Sequence, residues 1–254
     1  MNKDQALDLS GEVCLVTGGA TGLGFAIAQA LVHCGAQVVI CGRRQSELET
    51  ATEALGPSAQ WRVHDVTRLA EADALIGDIE ATVGALGVLV NNAGKLLKKP
   101  SVEVTDDEFQ GVLDVHLGAG FALSRAAASR MLPRKKGSIL FIASMASLFG
   151  LPNVIAYTAA KSALTGLVRG LAVEWSPHGL RVNGIAPGWI DSEMMRGAMR
   201  GDPQRERKIL ERTPLGRFGE AEDVGWAAAY LSSPAAKFIT GTCLVVDGGA
   251  SVGF

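Results

Sequence analysis

Seven short runs dominated by Val, Ile and Leu recur along the 254 residues, with helical patterns between them. The runs are VCLVT (13–17), QVVIC (37–41), QWRVH (60–64), VLVNN (88–92), SILFIA (138–143), RVNGIAP (181–187) and CLVVD (243–247). Runs so nearly continuous in apolar character suit strands buried on both faces. Between them lie stretches such as GFAIAQALVHCG (24–35), EADALIGDIEATVG (71–84) and YTAAKSALTGLVRGLAVEW (157–175). Strands alternating with helices of this length predict βαβ units, hence an α/β fold with one parallel sheet covered on both sides.

Length and composition fit that prediction. A chain of 254 residues with 48 % hydrophobic and 20 % charged residues buries one substantial core and reads as globular. No linker or shift in composition divides it, so 1–254 is expected to form a single domain. A net charge of −2 gives no global field for nucleic acid or an anionic membrane. No apolar run reaches the length of a membrane span, and the polar N-terminus MNKDQALDLSGE lacks the core of a signal peptide. Cys14, Cys34, Cys41 and Cys243 form no Cys-x-x-Cys pair and no His cluster accompanies them. Reduced thiols in a cytoplasmic protein without a metal site are therefore expected.

Between the first run and the first helix, LVTGGATGLGFAIAQAL spaces Gly18, Gly22 and Gly24 in the context that dinucleotide binding requires. Glycines let the backbone turn tightly and approach a pyrophosphate, and the helix N-terminus then offers N–H groups to the anion. The second run ends in Gly42, Arg43 and Arg44, where a carboxylate would select an unphosphorylated ribose. Arginines grip a 2′-phosphate through a planar fork of donors. NADP(H) is expected over NAD(H), with NAD(H) kept open.

SMASLFGLPNVIAYTAAK carries Ser144, Tyr157 and Lys161. Tyr157 and Lys161 are four apart on a predicted helix and so share a face. An unperturbed tyrosine titrates near pH ~10, and a neighbouring ammonium lowers that value by favouring the phenolate. Tyr157 is thus expected to exchange a proton with a substrate oxygen that Ser144 hydrogen-bonds.

Phe109, Val112, Leu113, His116, Leu117 and Gly120 fall on one helical face. A histidine there is either a hydrogen-bonded core residue or part of a reaction centre, and the face alone does not decide. The polar excursion 191–214 is longer than an ordinary connection and suggests a substrate lid. It mixes Met194, Met195 and Met199 with Arg196, Arg200 and Arg205, giving an adaptable wall and cations for a carboxylate. A helix packed on one side and solvated on the other fits the same pattern.

Taken in order, these motifs resemble the short-chain dehydrogenase/reductase family over essentially the whole chain. The matching elements are Thr17-Gly18-x-x-x-Gly22-x-Gly24, NNAG (91–94), Ser144 thirteen residues before Tyr157, Tyr157-x-x-x-Lys161, and Pro187-Gly188. The resemblance implies a single Rossmann-type, doubly wound domain with a seven-stranded parallel sheet, assembled as a homotetramer or homodimer. It implies Tyr157 as acid/base, Ser144 as oxygen-binding partner, and Lys161 as the group that lowers the tyrosine pKa and holds the nicotinamide ribose. Thr17, Thr21 and Leu23 join the glycines around the cofactor, with Arg43 and Arg44 at its ribose phosphate. Asp65 and Val66 fall at the adenine, Asn91, Asn92, Ala93 and Gly94 along the cleft, and Ile190 and Ser192 near the carboxamide. Ser192 stands where the family more often has threonine.

His116 occupies the position of a family asparagine, in DVHL for the usual Asp-Val-Asn-Leu. In the family that residue helps hold a water of a proton relay, so His116 is expected beside the reaction centre. A relay that survives with altered pH dependence is the expectation, with weakened or lost activity as the alternative. Neutral imidazole can hold a water as an amide does, and imidazole can also titrate near neutrality.

Candidate substrate segments are 95–100, 145–154 and 191–214. NNAGKLLKKP resembles sugar-acid dehydrogenases of the gluconate 5-dehydrogenase type more than 3-oxoacyl-carrier-protein reductases. That second reading is served by Arg125, Arg130, Arg134, Lys135 and Lys136 as a basic docking patch. A non-catalytic NADP(H)-binding sensor is a third, against which stands the retained Ser144, Tyr157 and Lys161.

Overall fold

The computed structural model describes residues 6–192, 195 and 203–253. Seven strands form the sheet: β1 (Val13–Thr17), β2 (Gln37–Gly42), β3 (Ala59–Val63), β4 (Leu86–Asn91), β5 (Gly137–Ile142), β6 (Leu180–Pro187) and β7 (Cys243–Val246). All are parallel, in the order β3-β2-β1-β4-β5-β6-β7. This is a doubly wound, Rossmann-type sheet whose strand order reverses between β1 and β4, where such folds open a ligand crevice.

Helices cover both faces. They are α1 (Gly22–His33), α2 (Gln45–Leu55), α3 (Ala72–Thr82), α4 (Asp106–Leu113), α5 (Ala119–Arg134), α6 (Ile155–Trp175), α7 (Pro203–Arg212) and α8 (Ala221–Ser232). Alternate strand residues feed two separate cores, which explains the unbroken apolar runs. Cys14, Val16, Val38, Ile40, Val88 and Val90 pack with Ile27 and Leu31 of α1 and Val224 and Ala228 of α8. Leu15, Val39, Leu89 and Phe141 pack with Ile76 and Ile79 of α3, Leu123 of α5, and Leu164 and Val168 of α6. Gly225 permits direct contact between α8 and α1, since a Cβ there would lie 2.6 Å from the Ala26 carbonyl oxygen.

The stripe around His116 is less regular than its spacing suggests. A capping box between Thr105 and Glu108 starts α4. The helix then widens into one π turn, Asp114–Gly118, before α5 continues. Val112, His116 and Gly120 are buried, while Phe109, Leu113 and Leu117 are half-buried. Such turns concentrate at functional sites.

Of the 191–214 excursion, α7 closes the described part and anchors itself by burying Ile209. Met194, Arg196, Met199 and Arg200 lie outside the described residues. Among the described residues, no helix is long and apolar enough to cross a membrane, and no group of three or more His, Cys, Asp or Glu side chains is placed to hold a metal.

Candidate active site

The carboxyl ends of β1, β4, β5 and β6 bring the motifs together. After β1 the chain turns through Gly18 and Gly22, at φ of 64° and 54°. Both values lie in the left-handed region that glycine tolerates. Gly24 has to lack a side chain because a Cβ would overlap the Gly18 carbonyl. Thr21 precedes α1 without capping it through its side chain, so the first-turn N–H groups face outward. Leu23 packs on the first core. Tight turn, close backbone and open helix end together make a cradle suited to a pyrophosphate.

Neighbouring hydrogen bonds hold that cradle in place. The Thr17 hydroxyl accepts from the Asn92 and Ala93 N–H groups at 3.0 and 2.9 Å. The Asn92 amide donates back to the Thr17 and Gly18 carbonyls at 2.9 and 3.2 Å. These polar groups knit the β1 and β4 turns to each other.

At the end of β2 the two arginines differ. Arg44 is drawn to Glu47, 2.6 Å away, on the first turn of α2. Arg43 instead acts on Asp65, helping lower its pKa. The larger cause of that lowering is the hydrogen bonding of Asp65 to the Thr67 N–H and hydroxyl, at 3.0 and 2.8 Å.

Ser144, Tyr157 and Lys161 converge between β5 and α6. Ser144 caps a short turn, Met145–Ser147, by accepting from the Ala146 N–H at 3.1 Å. Its hydroxyl also hydrogen-bonds Tyr157, which pulls the phenol pKa down. Burial is the larger influence, and the Tyr157 pKa is raised overall. The expected lowering by Lys161 does not emerge in this arrangement. Lys161 Nζ stands 5.4 Å from the centre of the Tyr157 ring and donates to the Ile142 carbonyl at 2.5 Å. Burial pushes its own pKa down to about 7, so much of its charge is lost near neutrality.

His116 does stand beside this cluster. Its Nε2 lies 2.9 Å from the Lys95 carbonyl oxygen and 3.2 Å from the Lys95 nitrogen. One ring nitrogen cannot serve both, and the shorter contact favours Nε2–H donating to the carbonyl. Gly94 makes room for the ring, since a Cβ there would overlap Cε1. Of the two forms open to His116, neutral or titrating near neutrality, the neutral one is favoured. Burial first, then the Lys161 charge, lowers its pKa to about 3, and the imidazole stays neutral.

Behind the cluster is a cavity of about 10 Å³, lined by Thr17, Asn91, His116 and Lys161 with Val66, Ile142 and other apolar residues. Its size suits a single water. The Asn91 amide nitrogen donates to Ser124 at 3.0 Å, while Asn91 Oδ1 is buried with no protein partner.

On the β6 side, Gly188 permits contact with the turn after β7, where a Cβ would come within 2.5 Å of Asp247 Cβ. Ile190 is buried and Ser192 Oγ accepts from the Met195 N–H at 3.2 Å. The substrate segments also touch, with the Lys99 N–H donating to the Asn153 carbonyl at 2.8 Å. Sequence reasoning missed one feature here. Phe149, Trp189 and Arg212 form a chain of ring and cation contacts across these segments. Its one legible sign was an aromatic directly after Pro187-Gly188.

The family model described as enoyl-(acyl carrier protein) reductase matches residues 18–251. Gluconate 5-dehydrogenase of Gluconobacter oxydans is 37 % identical over 258 aligned residues, covering 99 % of each chain. The 5-keto-D-gluconate 5-reductase of Escherichia coli is 38 % identical, covering 96 % of this chain and 97 % of its own. The crystal structure of a gluconate 5-dehydrogenase from Burkholderia cenocepacia, in complex with NADP and tartrate, superposes with a TM-score of 0.95 at 32 % identity, covering all of both chains. With these similarities spanning its length, the chain belongs to the short-chain dehydrogenase/reductase family.

Proposed function

We propose that the protein is an NADP(H)-dependent oxidoreductase that interconverts a carbonyl and a secondary alcohol on a sugar acid. The observation that carries the reading is the buried Ser144–Tyr157–Lys161 cluster beside a glycine cradle at the crevice of the sheet. The residues fit the cofactor. An uncapped α1 N-terminus and the Gly18–Gly24 turn suit a pyrophosphate, and Arg43 suits a 2′-phosphate. The NADP bound to the Burkholderia relative and the names of the sugar-acid relatives support the same choice.

When bound, NADP(H) supplies or accepts the hydride. Ser144 hydrogen-bonds the substrate oxygen, and Tyr157 donates its phenolic proton during reduction or accepts one during oxidation. Burial keeps the phenol protonated in the unliganded site, the form that reduction consumes. Lys161, when protonated, favours the phenolate. His116 contributes shape and a fixed hydrogen bond instead of a titrating charge.

A carrier-protein reductase would draw on a basic patch that is largely spent here. Arg130 pairs with Asp73, Arg134 with Glu80 and Lys136 with Glu12. The protein is further taken as a single cytoplasmic domain over 1–254 with 191–214 as its lid. The four free cysteines support the compartment. Exposed apolar side chains on α5 and α6, such as Phe121, Ile155 and Val173, support a homotetramer or homodimer.

The test is oxidation of NADPH and NADH over keto sugar acids, 3-oxoacyl thioesters, cyclic ketones and diketones, with Tyr157→Phe as the blank. Turnover of keto sugar acids with NADPH that vanishes in the variant is expected. Preference for thioesters would replace the substrate assignment, and tight NADPH binding without any turnover would favour a sensor.

A further inference from the structure

Three segments distant in sequence are linked through one ring. The guanidinium carbon of Arg212, the last residue of α7, stands 4.4 Å from the centre of the Phe149 ring. Phe149 belongs to the loop after Ser144, and its ring centre lies 6.4 Å from that of Trp189, with planes at 47°. Trp189 directly follows Pro187-Gly188 at the end of β6. The cation is therefore fixed to a ring of the loop after β5, and through that ring to the segment after β6, at the carboxyl ends of the strands that carry the site.

Arg212 is also held from behind, by donation from Nε to the Ala250 carbonyl at 3.0 Å. That bond draws on one of the five donors of a guanidinium. The two terminal nitrogens are the pair whose spacing matches a carboxylate. Stacking and anchoring together restrict the side chain, so less freedom is lost when a ligand binds. Two described cations of the substrate segments are already engaged. Lys99 pairs with Glu108 at 2.9 Å, and Arg205 has an interaction of its own.

We propose that Arg212 recognises the carboxylate of the substrate, with Phe149 and Trp189 as the wall against which the carbon chain packs. The proposal rests on the sugar-acid reading above and adds the residue that sets preference for an acid over a neutral ketone. A keto acid gains a charge-assisted pair of hydrogen bonds here, and an uncharged ketose does not.

The full-length protein is assayed with NADPH on 5-keto-gluconate and on a neutral ketose of equal chain length, as wild type, Arg212→Gln and Arg212→Lys. Arg212→Gln is expected to raise the KM for the acid about 10- to 100-fold, the worth of a lost charge-assisted contact. Its kcat should change far less, and the acid-over-neutral ratio of kcat/KM should fall by the same factor. Arg212→Lys should retain part of the preference. Tartrate binding to the NADP-loaded protein, followed by calorimetry, should weaken in the same order. Equal losses on acid and neutral substrates, or an unchanged KM for the acid, overturn the proposal and leave the sugar-acid reading standing. A wild type that reduces the neutral ketose but no keto acid overturns both. NADPH affinity retained in the variants separates each result from misfolding.

Discussion

The imidazole of His116 meets the ring of Tyr157 edge-on, with centroids 5.5 Å apart and planes at 82°. Such contact couples the two rings through packing and the quadrupole of the phenol, without any proton shared between them. With its pKa near 3, His116 enters the site uncharged over the range in which enzymes of this kind are assayed. His116→Asn is therefore expected to leave the shape of the pH–activity profile intact while altering its height. An acid limb that disappears in the variant would show that the imidazole titrates.

Stability should register the same group. In the unfolded chain His116 takes a proton near pH 6.5, whereas the folded protein refuses it down to about 3. The unfolded state thus binds more protons in that window, and stability falls as pH drops through it. Thermal unfolding of wild type and His116→Asn from pH 7 downward checks this, with the steeper acid loss expected in wild type.

Lys161 gives a slope on the other side of neutrality. Its pKa falls from 10.5 to about 7 on folding, so between those values the unfolded chain again holds the extra proton. Stability from this group rises as pH increases from 7 towards 10.5. Lys161→Met should flatten the rise in denaturant midpoints measured across that interval. An unchanged slope would place its source elsewhere.

The arginines after β2 should prove unequal. Arg44 is tied to Glu47, and Arg43 lies within the field of Asp65. Arg43→Ala is expected to raise the KM for NADPH by about 10- to 100-fold with little effect on NADH, from loss of a charge-assisted phosphate contact. Arg44→Ala should cost markedly less. Steady-state kinetics with both cofactors decide the matter, and equal losses would show that the ion pair opens on binding.

Gly94→Ala should be destabilising by about 1–3 kcal/mol, as overpacking commonly is. The new methyl would press on the His116 ring. Combining it with His116→Asn should recover part of that loss, because the smaller side chain vacates the space. Denaturant unfolding of the two single variants and the double variant measures the coupling. Strict additivity would mean the strain is relieved by backbone movement instead.

All seven strands were legible in the sequence, because both faces of a parallel sheet are buried and the runs carry little else. That the glycine turn follows β1, and that Ser144, Tyr157 and Lys161 converge, was legible for a related reason, since fixed spacing along the chain brings them together. What escaped depends on contacts between distant positions. Nothing in DVHL shows that Gly94 and Lys95 enclose the ring, nor that burial will silence its charge. Nothing in GRR shows that Glu47 claims the second arginine. The arginines expected to meet a carboxylate lay at 196, 200 and 205, while the cation on Phe149 is Arg212, at the very end of the same excursion.

The π turn at Asp114–Gly118 makes the site sensitive to the number of residues as well as their kind. A π turn fits about one residue more than an α turn into nearly the same rotation. Removing one residue here would therefore turn it into a regular α turn, with α4 and α5 still in phase but the side chains of the turn re-aimed. The glycine turn, Ser144, Tyr157 and Lys161 would all survive such a deletion intact. His116 would nonetheless leave the edge of Tyr157, and the cavity behind Lys161 would lose a wall. Length in this one turn is therefore as much a part of the candidate site as the side chains it carries.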